Sequence, residues 1–171
     1  MRRNWLAGAA VAAVTIGVPA TVLAGPGFAG PAQAAPLSGT TAKTSATFNQ
    51  VAAALAKKLV GDPYRSGGTN PAGFDCSGLT QYVYAHTGGG KPIPRTAQDQ
   101  FLAFRQISKA DARPGDLVFF HDSTLLTTYV YHVGVYEGGV DIVAAATPGE
   151  GVLLQAYTWA GDTVSFGTIT H

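Results

Sequence analysis

A chain of 171 residues has room for one domain and little more. Its 11 Lys/Arg against 10 Asp/Glu leave a formal net charge of +1, so no basic surface points to nucleic acid or another polyanion as the main partner. A single cysteine excludes an internal disulfide, and no His/Cys/Asp cluster has metal-ligand spacing, so neither a metal nor a cofactor is expected.

The first third reads as an export signal. Arg2 and Arg3 precede Trp5 to Leu23, an uncharged stretch rich in Ala and Val, and "AQA" at 32–34 offers a small-x-small cleavage site. Gly17 and Pro19 break the run and no stop-transfer charges follow, which argues against a membrane anchor. Residues 1–34 are therefore read as a secretory signal peptide with Ala35 as the first mature residue. "RRNWL" also has a loose likeness to a twin-arginine signal, which leaves the export route open. Cleavage removes Arg2 and Arg3 and no acid, taking the formal charge from +1 to −1. The released chain is expected to be a soluble, extracellular monomer with no membrane attachment.

Residues 35–46, small and polar, read as a disordered linker, and 47–171 as the working domain. Thr47 and Gln50 have capping-box spacing, and Val51, Leu55 and Leu59 repeat every four residues before Gly61 and Pro63 end the helix. "YRSGGTNPAG" (64–73) is a loop. In "GFDCSGLTQYVY" Asp75 is the N-cap of a second helix and Cys76 its first residue, with Phe74 and Leu79 at the hydrophobic-staple positions. Thr96 caps a third, short helix. After "RPG" the period changes to that of strands: 116–120, 128–139, 141–147 and 151–158. Helices first and consecutive strands later give an α+β class with an antiparallel sheet.

An unpaired thiol in an exported domain is an oxidation liability unless it is used or buried. At a helix N-terminus Cys76 meets free N–H groups and the positive end of the macrodipole, which favour the thiolate and predict a lowered pKa. The N–H groups around Cys76 and Ser77 are also placed to hold an oxyanion during acyl transfer. Of four histidines, His171 is expected to fray, His86 lies about 15 Å along the same helix, and His121 is expected to enter a loop. His132 is inside a strand. Alternation puts Val130, His132, Gly134 and Tyr136 on one face, with Gly134 leaving space beside the imidazole for a substrate channel.

"GDPYRSGGTNPAGFDCSGLTQYVY", "IPRTAQDQ", "RPGDLVFFH" and "YHVGVYEGG" resemble, in order, the blocks of the NlpC family of cell-wall peptidases, over residues 47–158. The resemblance implies a papain-like fold with helices packed on an antiparallel sheet and the nucleophile opening a helix. It implies hydrolysis of peptidoglycan stem peptides, commonly between D-glutamate and a diamino acid. Cys76 is then the nucleophile, His132 the base and later the acid, and Tyr64 a hydroxyl beside the thiol. Asp75 and Ser77 match family positions that capping already explains, and Arg95 and Gln98 are expected to be structural. Two departures stand out. Ser66 replaces a customary aromatic residue, and Ala144 occupies the position, about twelve residues after the histidine, where a polar side chain normally orients the imidazole. Asp141 and Thr147 are the nearest polar residues. The alternatives left open are a slow enzyme, a silent wall-binding module of the same fold, and a Cys-His amidase or acyltransferase with another substrate.

Overall fold

The computed structural model describes residues 46–122 and 129–171. The expected signal peptide, and the expected linker up to residue 45, lie outside the described residues. No helix among the described residues is long and apolar enough to cross a membrane.

Helix α1 (Phe48–Lys58) begins with the expected reciprocal box: Gln50 N–H donates to Thr47 Oγ1 at 3.3 Å, and Thr47 N–H to Gln50 Oε1 at 2.8 Å. Of the expected Val51/Leu55/Leu59 stripe, Leu59 is buried in the core and Leu55 packs partly buried against it, while Val51 departs. Asn49, Ala52, Ala53 and Ala56 are buried, while Val51 is exposed. Methyl-sized Ala52, Ala53 and Ala56 let the helix axis approach its neighbours closely, and Val51 is left outside that contact. The 64–74 loop contains a short hairpin, β1 (Thr69–Asn70) and β2 (Gly73–Phe74). Helix α2 (Cys76–His86) follows, capped by Asp75, whose Oδ1 accepts from Gly78 N–H at 2.7 Å. Phe74 and Leu79 are fully buried, as a staple requires. Thr96 caps α3 (Ala97–Ala103).

The rest is an antiparallel six-stranded sheet of β3 (Arg105–Ile107), β4 (Leu117–His121), β5 (Val130–Gly138), β6 (Asp141–Ala145), β7 (Val152–Ala156) and β8 (Thr163–Thr168). Its spatial order is β3-β8-β4-β5-β6-β7. One face carries Leu117, Phe119, Val133, Val135 and Val143 against Leu79, Val83 and Tyr84 of α2. The opposite face carries Val118, Phe120, Tyr136, Ile142, Ala144 and Phe166, closed by Tyr157. Glu137 is a charged residue inside this frame: its side chain is 1% exposed, and Lys57 Nζ of α1 lies 3.1 Å from one carboxylate oxygen. Neither oxygen receives a well-directed hydrogen bond among the described residues, and burial pushes the carboxyl up to about 7.

Three expectations need correction. Two strands of the sheet, β3 and β8, lie outside the four expected strands. His121 ends β4 rather than entering a loop, with Nε2 2.8 Å from Ser165 Oγ. His171 does not fray: its Nε2 lies 2.9 Å from the fully buried carboxylate of Asp116, which also accepts from Asn49 Nδ2 at 2.7 Å and Arg113 N–H at 2.8 Å. A buried charge requires such partners, and the chain's last residue supplies one of them.

Candidate active site

Cys76 opens α2, and the helix is held there from both sides. Asp75 caps it and also accepts from Gly67 N–H at 3.0 Å. Arg95 then grips Asp75 through both nitrogens, at 3.0 and 2.6 Å, and donates to Ser77 Oγ at 2.9 Å. Burial alone would raise the Asp75 pKa, but the Arg95 fork and the Gly78 N–H outweigh it and hold the carboxyl below the usual range. Gly78 is required by contact: a Cβ there would lie 2.0 Å from the carbonyl oxygen of Gly68, so the loop rests directly on the helix. Gln100, which the sequence reading passed over, is fully buried and ties three segments: it accepts from Thr80 Oγ1 and donates to the carbonyls of Ser77 and Pro94. No local pattern marks it, because its partners are distant in sequence. Gln98 Oε1 accepts from Val130 N–H at 2.7 Å and pins the start of β5.

The sheet reaches the thiol through β5. Strands β5 and β6 pair from Val135↔Val143 towards the turn but not at Val133. The Val133 N–H, one residue from His132, acts on the Cys76 sulfur together with the Ser77 N–H. Tyr64 lies close enough for the sulfur and Asp75 to act on its hydroxyl. The structure therefore gathers Cys76, Ser77, Tyr64 and the backbone beside His132.

The electrostatics correct the expected thiolate. Burial pushes the Cys76 thiol up, and the Asp75 charge adds to this, while the Val133 and Ser77 N–H groups only partly oppose it. Burial likewise pushes His132 down to about 4. The helix terminus is real, but desolvation is the larger effect, so the resting groups are a neutral thiol and a neutral imidazole.

The strand alternation is corrected too. The β4–β5 register shifts between Phe120 and His121, from Phe120↔His132 to His121↔Val130, which bulges Tyr131. Val130 consequently packs on the helix-facing core with Val133, while His132, beside Phe120, lies on the other face. Gly134 opens no channel: a Cβ there would meet Ile142 Cδ1 at 2.9 Å and Ala144 Cβ at 3.2 Å. Ala144 shares the imidazole's face of the sheet, and His132 Nε2 is buried with no hydrogen-bond partner among the described residues. Asp141 lies on the opposite side of β6, and Thr147 Oγ1 donates to Glu150, so neither serves the imidazole. A groove of about 570 Å³ runs beside the thiol, lined in part by Asp75, Cys76, Arg95, Gln98, Tyr129 and Tyr131; His132 is not part of its lining.

A family model described as "NlpC/P60 family" matches residues 61–167, well over half of the chain. The chain belongs to the NlpC/P60 family. Among curated relatives it is 40% identical over 129 residues to the bifunctional muramidase/DL-endopeptidase CwlT of Bacillus subtilis, covering 74% of this chain and 38% of that protein. It is 37% identical over 117 residues to the probable endopeptidase p60 of Listeria innocua, covering 68% of this chain and 24% of that one. The chain thus matches well under half the length of these relatives. Among solved structures, the NlpC/p60 domain of the peptidoglycan hydrolase SagA aligns with a TM-score of 0.61 and 34% identity, over 70% of this chain and 98% of that one. The papain-like α+β fold of this NlpC/P60 chain is therefore shared with solved members of the family.

Proposed function

We propose that this NlpC/P60 chain is an exported cysteine peptidase that hydrolyses amide bonds in peptidoglycan stem peptides, between D-glutamate and a diamino acid. The observation that carries the reading is the convergence at the head of α2: one thiol, two backbone N–H groups, the Tyr64 hydroxyl and the strand that bears His132. Relatives named as endopeptidases and a peptidoglycan hydrolase support the substrate class.

In this reading the stem peptide lies in the groove with its carbonyl carbon at Cys76. His132 Nε2 is sealed away, so Nδ1 takes the thiol proton as the C–S bond forms. The tetrahedral oxyanion is held by N–H groups at the helix start and by Tyr64. The C–N bond then breaks, the imidazolium returns its proton to the leaving amine, and a thioester remains. Water, deprotonated by His132, attacks the thioester, and the thiol leaves with the proton. Purified muropeptides incubated with wild type and Cys76→Ser test this: wild type is expected to release fragments split at the D-glutamyl bond and Cys76→Ser none, with unchanged thermal unfolding. Retained turnover in Cys76→Ser would rule out the nucleophile. Export is read by mass analysis of protein in the medium, expected to start at Ala35.

One observation favours a second reading. His132 Nε2, without a hydrogen-bond partner among the described residues, fits a wall-binding module that has lost its chemistry. Saturable binding to sacculi without release of any fragment would support that module over the enzyme.

A further inference from the structure

We infer that Tyr131 and Asp162 position the His132 imidazole, by stacking and a tether, where the chain has no polar residue at 144 to do so. The inference rests on the proposed role of His132 as general base. Tyr131 is the bulged residue of β5, and bulges re-aim side chains next to active sites. Its ring stands beside the imidazole in a near-parallel arrangement, with centroids 6.2 Å apart and planes at 29°. Phe120 meets the same imidazole in an edge-to-face contact at 5.1 Å and 62°. Phe120 and Tyr131 also touch, at 6.5 Å, so the three rings form one cluster. The Tyr131 hydroxyl donates to the carboxylate of Asp162, which stands just before β8. That bond fixes the outer end of a ring that neighbours the histidine.

A half-exposed tyrosine would otherwise sample several rotamers and hold nothing. Tethered from the segment that leads into β8, it restricts the rotation of the imidazole. Aromatic contacts fix the ring plane without requiring Nε2 to be paired, which fits the missing partner there. Tyr131 also lines the groove, so contact with substrate is the competing role; Asp162 is not among the residues that line it, and so it separates the two.

The test uses the full chain with Tyr131→Phe, Asp162→Ala, the double variant and Tyr131→Ala. Two readouts are taken: steady-state muropeptide hydrolysis, and the rate of Cys76 alkylation by iodoacetamide at neutral pH. Positioning predicts that Tyr131→Phe and Asp162→Ala each lower kcat about 10-fold, with KM within about twofold, and that the double variant loses no more than either alone. Tyr131→Ala should lose more, up to about 100-fold, and alkylation should slow in the same order. A rise in KM at unchanged kcat, or full additivity in the double variant, overturns the inference. Alkylation unchanged across the series overturns it too. Should Tyr131→Ala unfold, the Phe and Asp162 variants decide, since both leave the ring in place. A wild type without turnover would sink the peptidase reading, and the alkylation series alone would then judge the positioning.

Discussion

Ala144→Asn should make this protein a faster enzyme and a less stable one. To accept the Cys76 proton at Nδ1, neutral His132 must carry its own proton on Nε2. That N–H is then a buried donor without an acceptor among the described residues. Leaving such a donor unpaired costs about 1–3 kcal/mol, a factor of roughly 5 to 150 against the working tautomer. The aromatic cluster fixes the plane of the ring but not which nitrogen holds the proton. Ala144 is fully buried on the imidazole's face of the sheet, beside Gly134. An asparagine there brings an acceptor to Nε2–H, which favours both the working tautomer and the imidazolium, so His132 should titrate above about 4. The expected result is a kcat gain of about 5- to 100-fold in muropeptide hydrolysis, with KM within about twofold, because the gain lies in the chemical step. Crowding a packed site should cost about 1–3 kcal/mol, visible as a Tm lowered by several degrees. Ala144→Val is the control, with the crowding but no acceptor: its Tm should fall and its kcat should not rise. Equal kcat in the two variants, or a lower kcat in a folded Ala144→Asn, would refute the reasoning.

Other expectations follow from the same contacts. The Asp75 pKa is held below its unfolded value, so its stabilising contribution is present above the unfolded carboxylate pKa and is lost as pH falls through the folded one. Arg95→Gln should therefore lower Tm by a few degrees at neutral pH and by less in acid, as read by thermal melts across pH 2–7. Glu137 has the opposite sign: its folded pKa of about 7 exceeds the unfolded value of 4.5, so the domain loses stability as pH rises between them. Glu137→Gln should flatten that part of the curve and gain most at pH 7 and above; a uniform shift at all pH would show that Lys57 fully compensates the charge. Gly78→Ala should separate the 64–74 loop from α2, through the 2.0 Å contact with the Gly68 carbonyl. Soluble yield and Tm should both drop sharply, although alanine is the better helix former.

The three helices were legible because their signals are local: Thr47 with Gln50, Asp75 before Cys76, and Thr96 before Asp99 each lie within one turn. Cys76 and Tyr64 were legible by resemblance, and the structure places them close together. The rest depended on contacts that no window of sequence contains. The bulge at Tyr131 is set by how β4 and β5 meet, so counting alternate residues from His132 put Val130 on the wrong face. The ionisation of Cys76 turned on how deeply the folded chain buries it, and a capping pattern cannot report that. His171 looked free because Asp116, its partner, is 55 residues away. β8 was not expected although Val164 and Phe166 alternate with polar neighbours in "TVSFGT"; its internal place is set by pairing with β3 and β4, which are distant in sequence.

That strand has a consequence for assembly. β3 and β4 are separated by only a short connection, yet they are not hydrogen-bonded to each other, because β8 is inserted between them. Every other strand among the described residues leaves the ribosome before β8 does. Until then β4 is an open edge whose unpaired N–H and C=O groups can recruit another chain. Asp162, the tether of the aromatic cluster, arrives in the same closing segment. Until β8 is made, the sheet lacks the strand that joins β3 to β4, and the Tyr131–Asp162 bond cannot form.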